Sequence, residues 1–186
     1  MATVRLVRHG RAAGGWDADP DPGLDEVGLV QAEVVADLLA PLRDDDRPHL
    51  VTSPLRRCQE TAAPLAARWG TTPVVEPLVA ELPSPEGVPC GQRVPWLQAA
   101  IAGTWSALGP RYLGYRDAVV TYVAGLAEDT VVVSHFIAIN TVIGRCTGSD
   151  RVMVSRLDNT SVTVVETSPA GLTLVSVGNE ADTQLR

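Results

Sequence analysis

Three short segments carry side chains able to handle a phosphate group. Arg8-His9-Gly10 follows one apolar run, Ser53-Pro54-Leu55-Arg56-Arg57 follows another, and Ser134-His135 closes a third. Gathered at one point, two histidines and two or more arginines form a dianion pocket, because guanidinium groups grip oxyanions through paired, charge-assisted hydrogen bonds. Phosphoryl transfer needs charge stabilisation and in-line alignment more than elaborate covalent chemistry. His9 is the expected nucleophile. An imidazole, with an ordinary pKa of about 6.5, is largely neutral near pH 7, and a backbone carbonyl on one ring nitrogen would fix the tautomer that frees the other. Gly10 lets the chain turn tightly beside it. Arg8 and one arginine of the Arg56-Arg57 pair would bind non-bridging oxygens, while His135, held charged by the phosphate, would stabilise the transition state.

These segments must be delivered to one place, and the pattern around them suggests how. Each follows a strand-like run: 3–7, 50–52 and 130–133, the last an uninterrupted apolar stretch of the kind buried on both faces of a parallel sheet. Ligands bind beyond the carboxyl ends of strands in open α/β sheets, so the three segments can converge on that edge. Between the strands lie helical patterns. Asp25 is placed to cap a helix to about residue 40, with Leu29, Ala32, Val35, Ala36 and Leu39 on one stripe and Pro41 ending it. Ser53 as N-cap with Pro54 at the first helical position predicts a second helix, whose stripe is Leu55, Cys58, Ala62, Leu65, Ala66 and Trp69, with Gly70 as a stop. Arg56 and Arg57 each lie roughly 130° from the centre of that stripe, on opposite sides, so periodicity does not choose between them.

A third strand is expected at 72–76, helices at 117–127 and 137–146, and a hairpin from strands 161–166 and 172–177 around Ser168-Pro169-Ala170-Gly171. The stretch 82–114 differs from the rest, being rich in Pro and Gly and holding Trp96, Trp105 and Tyr112, and reads as a cap insertion with one or two short helices. The expected architecture is α/β: a three-layer α/β/α sandwich on a mostly parallel mixed sheet, one domain over 1–186 with a small cap at about 82–114.

Composition narrows the partners. A net charge of -7 and a pI near 4.9 argue against a nucleic-acid or anionic-membrane surface, leaving a small anion in a local basic pocket. All 15 basic residues are arginine, so lysine chemistry such as a Schiff base or a P-loop grip is not available. Cys58, Cys90 and Cys146 are widely spaced, fitting neither a disulfide framework nor a zinc site. No signal-like segment precedes the first strand and no apolar run is long enough to span a bilayer, so a cytoplasmic protein is expected.

Four ordered motifs closely resemble the histidine phosphatase superfamily, which includes cofactor-dependent phosphoglycerate mutases and many small-molecule phosphatases. They are Arg8-His9-Gly10, the helix start running from Leu24 to Gln31-Ala32, Ser53-Pro54-Leu55-Arg56-Arg57 through Thr61, and Val133-Ser134-His135. The family pattern selects Arg57 over Arg56 and implies a proton donor after the third strand, where Glu81 falls, with Glu86 as the alternative. Two positions depart from it: Gly15 stands where many relatives carry Asn, and Phe136 follows the late histidine where many carry Gly. Arg56 is expected either in water or at the pocket rim, Phe136 at the rim where it would narrow the site, and Arg11 either extends the pocket or faces water.

The resemblance implies a metal-independent acid-type phosphatase: His9 attacks phosphorus, Glu81 protonates the leaving group and later activates water, and no cofactor is needed. The expected partner is a small phosphorylated metabolite, with a homodimer allowed and neither nucleic acid nor membrane required. The competing readings are a phosphoglycerate mutase, a protein phosphohistidine phosphatase, and a sensor that binds phosphate without turnover. The mutase reading calls for a larger, Arg- and Tyr-rich insertion, and 82–114 holds only Arg93 and Arg111.

Overall fold

The computed structural model describes residues 1–14, 19, 21–42 and 48–180, with the backbone alone at 90 and 91. Strands β1 (Ala2–Arg8), β2 (His49–Thr52), β3 (Val74–Val75), β4 (Thr130–Ser134), β5 (Val162–Ser168) and β6 (Gly171–Ser176) form one sheet in the order β3-β2-β4-β1-β5-β6. The first four are parallel, and β5 and β6 run antiparallel as a hairpin on the β1 side. The all-apolar reading of β4 is explained by its place: it lies between β1 and β2 with every residue buried. Its register sets the site. Arg8 pairs with Ser134 and Thr52 with Val133, so the chain leaves β1, β2 and β4 side by side at one edge.

Alternation along the strands divides the core. Val7, Leu50, Val131 and Val133 face helices α1 (Glu26–Leu39) and α2 (Arg56–Trp69), whereas Val4, Leu6, Val51 and Val132 face the opposite layer. That layer is built from α3 (Cys90–Ala102), α4 (Trp105–Leu108), α5 (Pro110–Ala124) and α6 (Phe136–Thr147). The result is the expected three-layer α/β/α arrangement on a mostly parallel sheet.

Several local expectations are corrected. Asp25 caps α1, its carboxylate accepting from the Gly28 N–H at 2.7 Å, but Leu29 is not part of the buried stripe and is 51% exposed. Gly28 takes the inward position because α1 meets the loop after His9 there: a Cβ on Gly28 would lie 2.1 Å from the Arg11 carbonyl oxygen. Only a glycine permits that approach. Helix α2 begins at Arg56 and not at Pro54, with Leu55 as its N-cap and only half-buried. Ser53 does not cap the helix in the expected way; its Oγ accepts from the Leu55 N–H at 3.3 Å and is bonded to His135, while the chain stays extended through Leu55. The Asp21 carboxylate instead accepts the Arg56 N–H at 2.8 Å, an anion at the helix start. Gly70 ends α2 in the left-handed region as expected, at φ 60°.

Strand β3 is two residues long, paired only at the sheet edge. The helix expected at 117–127 spans Pro110–Ala124: Gly109, at φ 88°, turns the chain and Pro110 opens the helix. The stretch 82–114 therefore holds α3, α4 and the start of α5, more helix than one or two short segments. Trp105 and Tyr112 are buried in the main core, with Trp96 packed at 5.6 Å from Tyr112, ring centre to ring centre. Among the described residues no helix is long and apolar enough to cross a membrane.

Candidate active site

His9, Arg57 and His135 meet at the edge where β1, β2 and β4 end. His9 is buried, and its Nδ1 lies 2.7 Å from the Gly10 carbonyl oxygen. A carbonyl only accepts, so Nδ1 carries the hydrogen and the lone pair sits on Nε2. The second contact agrees, because Arg57 donates from Nε to His9 Nε2 at 3.2 Å. Arg57 also donates from NH2 to His135 Nδ1 at 3.1 Å, which puts the hydrogen of His135 on Nε2, facing Ser53 Oγ at 2.7 Å. The two imidazole rings stand edge to face, 5.2 Å apart. Both histidines are held well below their ordinary pKa, first by burial and then by the neighbouring positive charges of Arg57 and Arg8. The free site is thus two neutral imidazoles around buried guanidinium groups, with the Asp21 carboxylate 3.9 Å from Arg57 NH1.

The backbone around His9 is clamped from several sides. The Gly10 N–H donates to Thr61 Oγ1 at 3.0 Å, and the His9 N–H to the Ser134 carbonyl at 3.0 Å. Asn159 donates from Nδ2 to the His9 carbonyl at 2.9 Å, and the Thr160 N–H to the Arg8 carbonyl at 3.0 Å. Thr160 holds φ 55°, a costly value for a β-branched residue that this clamp sustains. Thr61 closes the motif that begins at Ser53, whereas nothing in the sequence singles out Asn159 and Thr160. The Asn and Thr that follow Asp158 read as an ordinary turn, and no local pattern ties a turn to a strand end 150 residues away.

Arg8 reaches the Leu157 carbonyl from NH1 at 2.6 Å, and its guanidinium lies over the Phe136 ring at 5.1 Å. Its Nε is buried without a hydrogen-bond partner among the described residues, as expected of a donor awaiting an anion. Phe136 is buried core and carries Arg8 on its face; it does not stand at the pocket rim. Arg56 points outward, 64% exposed and paired with Glu60 at 2.7 Å. Arg11 also faces water, paired with Asp25 at 2.5 Å, which resolves its two readings. Gly15 lies outside the described residues.

Glu81 follows the 3-10 turn Pro77–Val79 and borders the same space. Its Oε1 accepts from the Leu82 N–H at 2.9 Å and its Oε2 from the Ile137 N–H, in the first turn of α6, at 3.4 Å. Burial raises its pKa above the ordinary carboxyl value, against the pull of those N–H groups and of Arg57 and Arg8. Glu86, by contrast, is 91% exposed and paired with Arg111 at 3.4 Å, so of the two candidate donors Glu81 has the half-buried, arginine-flanked setting. A cleft of about 420 Å³ runs from Arg57 and Glu81 to Leu82, Val88 and Arg93. Arg93, one of the two arginines of 82–114, has its Nε buried without a partner among the described residues. Cys58 packs 3.3 Å from His135 Nε2, and burial raises its thiol pKa, keeping it protonated.

Comparison with known proteins agrees with this geometry. Residues 4–86 match the family model of the histidine phosphatase superfamily, branch 1. The curated protein "Probable phosphoglycerate mutase GpmB" of Yersinia pestis is 36% identical over 88 residues, covering 44% of this chain and 39% of that protein. The match thus spans well under half the length of that relative. Among solved structures, Bacillus stearothermophilus YhfR superposes with a TM-score of 0.75 at 18% identity over 98% of each chain. A mycobacterial glucosyl-3-phosphoglycerate phosphatase superposes at 0.71 and 20% identity, covering 97% of this chain and 100% of that one. These likenesses establish the fold. Residues 4–86 are thus similar to the histidine phosphatase superfamily, and the chain as a whole shares the fold of these solved structures.

Proposed function

We propose that the protein is a phosphomonoesterase that hydrolyses a small phosphorylated metabolite through a phosphohistidine at His9. The observation that carries this reading is the hydrogen bond from His9 Nδ1 to the Gly10 carbonyl, which leaves the Nε2 lone pair facing Arg57 and His135. An entering phosphate takes over the Arg57 donors and the unpartnered Arg8 Nε, and so releases Nε2 for attack. Its negative charge also raises the pKa of His135, which gains a proton on Nδ1 and becomes a donor to the phosphate. The bond from Nε2 to phosphorus forms as the bond to the ester oxygen breaks, and Glu81, entering the step in the protonated form that burial favours, gives its proton to that oxygen. Glu81 then takes a proton from water as the water oxygen attacks phosphorus, returning inorganic phosphate and free His9.

Purified protein should hydrolyse p-nitrophenyl phosphate in the presence of EDTA, and His9→Ala should abolish it. Turnover lost to EDTA would overturn metal independence, and binding of phosphate without turnover would favour a sensor. A mutase-type transfer is the second reading, favoured by the similarity to a phosphoglycerate mutase. Against it, Arg111 is committed to Glu86, leaving Arg93 as the described cap arginine on the cleft. Release of inorganic phosphate from 3-phosphoglycerate, as opposed to its isomerisation, separates the two. A cytoplasmic setting belongs to the same proposal and is supported by the widely spaced cysteines.

A further inference from the structure

We infer that Tyr115 is a positioning residue for Glu81, acting through the Ala80 carbonyl; the inference rests on the proposed role of Glu81 as proton donor. Glu81 does not sit on a strand or helix. It leaves a short 3-10 turn and enters the coil that lines the cleft, and such a segment needs anchors if a carboxyl is to be held within reach of a leaving oxygen. Two side-chain hydroxyls supply them. Ser134 donates from Oγ to the Val79 carbonyl at 2.7 Å, and Tyr115 donates from its hydroxyl to the Ala80 carbonyl at 2.8 Å. The second anchor is the more direct. The Ala80 carbonyl and the Glu81 N–H share one planar peptide unit, so fixing that oxygen fixes the direction from which the Glu81 side chain departs.

Tyr115 is itself held for this task. It lies on α5 with its ring stacked on Trp105, centroids 6.0 Å apart and planes 30° from parallel, and Trp105 is fully buried. Its hydroxyl pKa is pushed well above the ordinary value by burial and by the Glu81 charge, so it remains a donor across the working pH range. The cap therefore does more than border the cleft. Trp105 in that stretch stacks on Tyr115 just after it, and Tyr115 reaches the backbone beside the carboxyl, while the other end of Glu81 is met by the Ile137 N–H of α6. The acid is suspended between the cap and the helix that follows His135.

Tyr115→Phe removes the anchor and keeps the ring stack. The first half-reaction isolates the acid role, because kcat/KM does not contain the later attack of water, so kcat/KM should fall about five- to tenfold for an alkyl phosphate such as glycerol phosphate, the size of one lost buried hydrogen bond. With p-nitrophenyl phosphate, whose leaving group departs without a proton, the loss should stay under about twofold. The high-pH limb of the alkyl phosphate profile should move to lower pH as Glu81 gains solvent. Inhibition by inorganic phosphate should be unchanged, which separates this role from general damage to the fold. The double variant Tyr115→Phe with Glu81→Gln should be no slower than Glu81→Gln alone, because one residue acts through the other. Equal losses on both substrates, or additive losses in the double variant, would overturn the inference. Full alkyl phosphate turnover in Glu81→Gln would remove the donor assignment and the inference with it, whereas a leaving-group-dependent loss in Glu81→Gln without one in Tyr115→Phe would remove the inference alone.

Discussion

The two ends of the cleft are built on different principles. At the phosphate end, His9 and His135 hang from the ends of parallel strands and Arg57 from the first turn of a helix, and their nitrogens bond to one another. At the leaving-group end, Glu81 stands on coil, Arg93 reaches in from a cap helix, and the anchors come from hydroxyls and backbone N–H groups of neighbouring elements. The difference follows from what each end must do. On the proposed function, a phosphoryl group has one shape, so its site would be fixed by sheet register, while leaving groups vary, so the end proposed to meet them is assembled from parts that can change without disturbing the sheet.

The comparison breaks if losses at the two ends look alike. The largest effect is expected from Arg57→Ala, which strips both histidines of a partner and the phosphate of its donors: about a 10³-fold fall in kcat/KM on every ester, whatever the leaving group. Glu81→Gln should lower kcat/KM about 10²-fold on alkyl phosphates and little on p-nitrophenyl phosphate, measured as a Brønsted plot of kcat/KM over leaving-group pKa. A flat plot would merge the two ends. Gly28→Ala tests whether the phosphate end is rigid, since its Cβ would meet the Arg11 carbonyl oxygen at 2.1 Å; thermal or urea unfolding should show a loss of about 1–3 kcal/mol. Arg93→Ala should raise KM about tenfold for esters with a second anionic group and leave p-nitrophenyl phosphate near wild type.

The smallest effect is a proton count. Both histidines are neutral in the free site because burial and the arginines lower their pKa, and a bound dianion reverses that for His135. Phosphate or vanadate binding near pH 7 should therefore take up as much as about one proton, read by calorimetry in buffers of different ionisation enthalpy. The same shifts give stability a sign. Each histidine binds a proton more readily unfolded than folded, so ΔG of unfolding should fall as pH drops below about 6.5, with a limiting slope of about 1.4 kcal/mol per pH unit for each.

The phosphate end was legible in the sequence and the leaving-group end was less so. His9, Arg57 and His135 each follow a strand signal strong enough to place them at one sheet edge, and parallel register does the rest. Arg57 and Arg56 were inseparable by periodicity, and packing separates them: one is 3% exposed among the histidines, the other paired with Glu60 in water. The Ser53-Pro54 helix start misled because Ser53 is bonded to His135, a contact 82 residues away in sequence. Leu29 misled because the tightest contact of α1 is made by a glycine, which hydrophobic patterning does not count. Tyr115 and Asn159 carry no signal in the sequence, and Arg93 stands there only as one of two arginines with no assigned place, for one shared reason. Their roles depend on distant backbone atoms or on a cleft that exists only once the cap has folded.

The central claim is that His9 takes the phosphoryl group on Nε2. Rapid acid-free quenching after mixing enzyme with a good phosphate ester, followed by peptide mass spectrometry, tests it most directly. The account predicts a single acid-labile, alkali-stable phosphoryl group on the peptide holding His9, linked through Nε2, with accumulation increased in Glu81→Gln if water activation becomes the slow step. Turnover that proceeds in His9→Ala at the wild-type rate, or a phosphoryl group trapped on another residue, would contradict it.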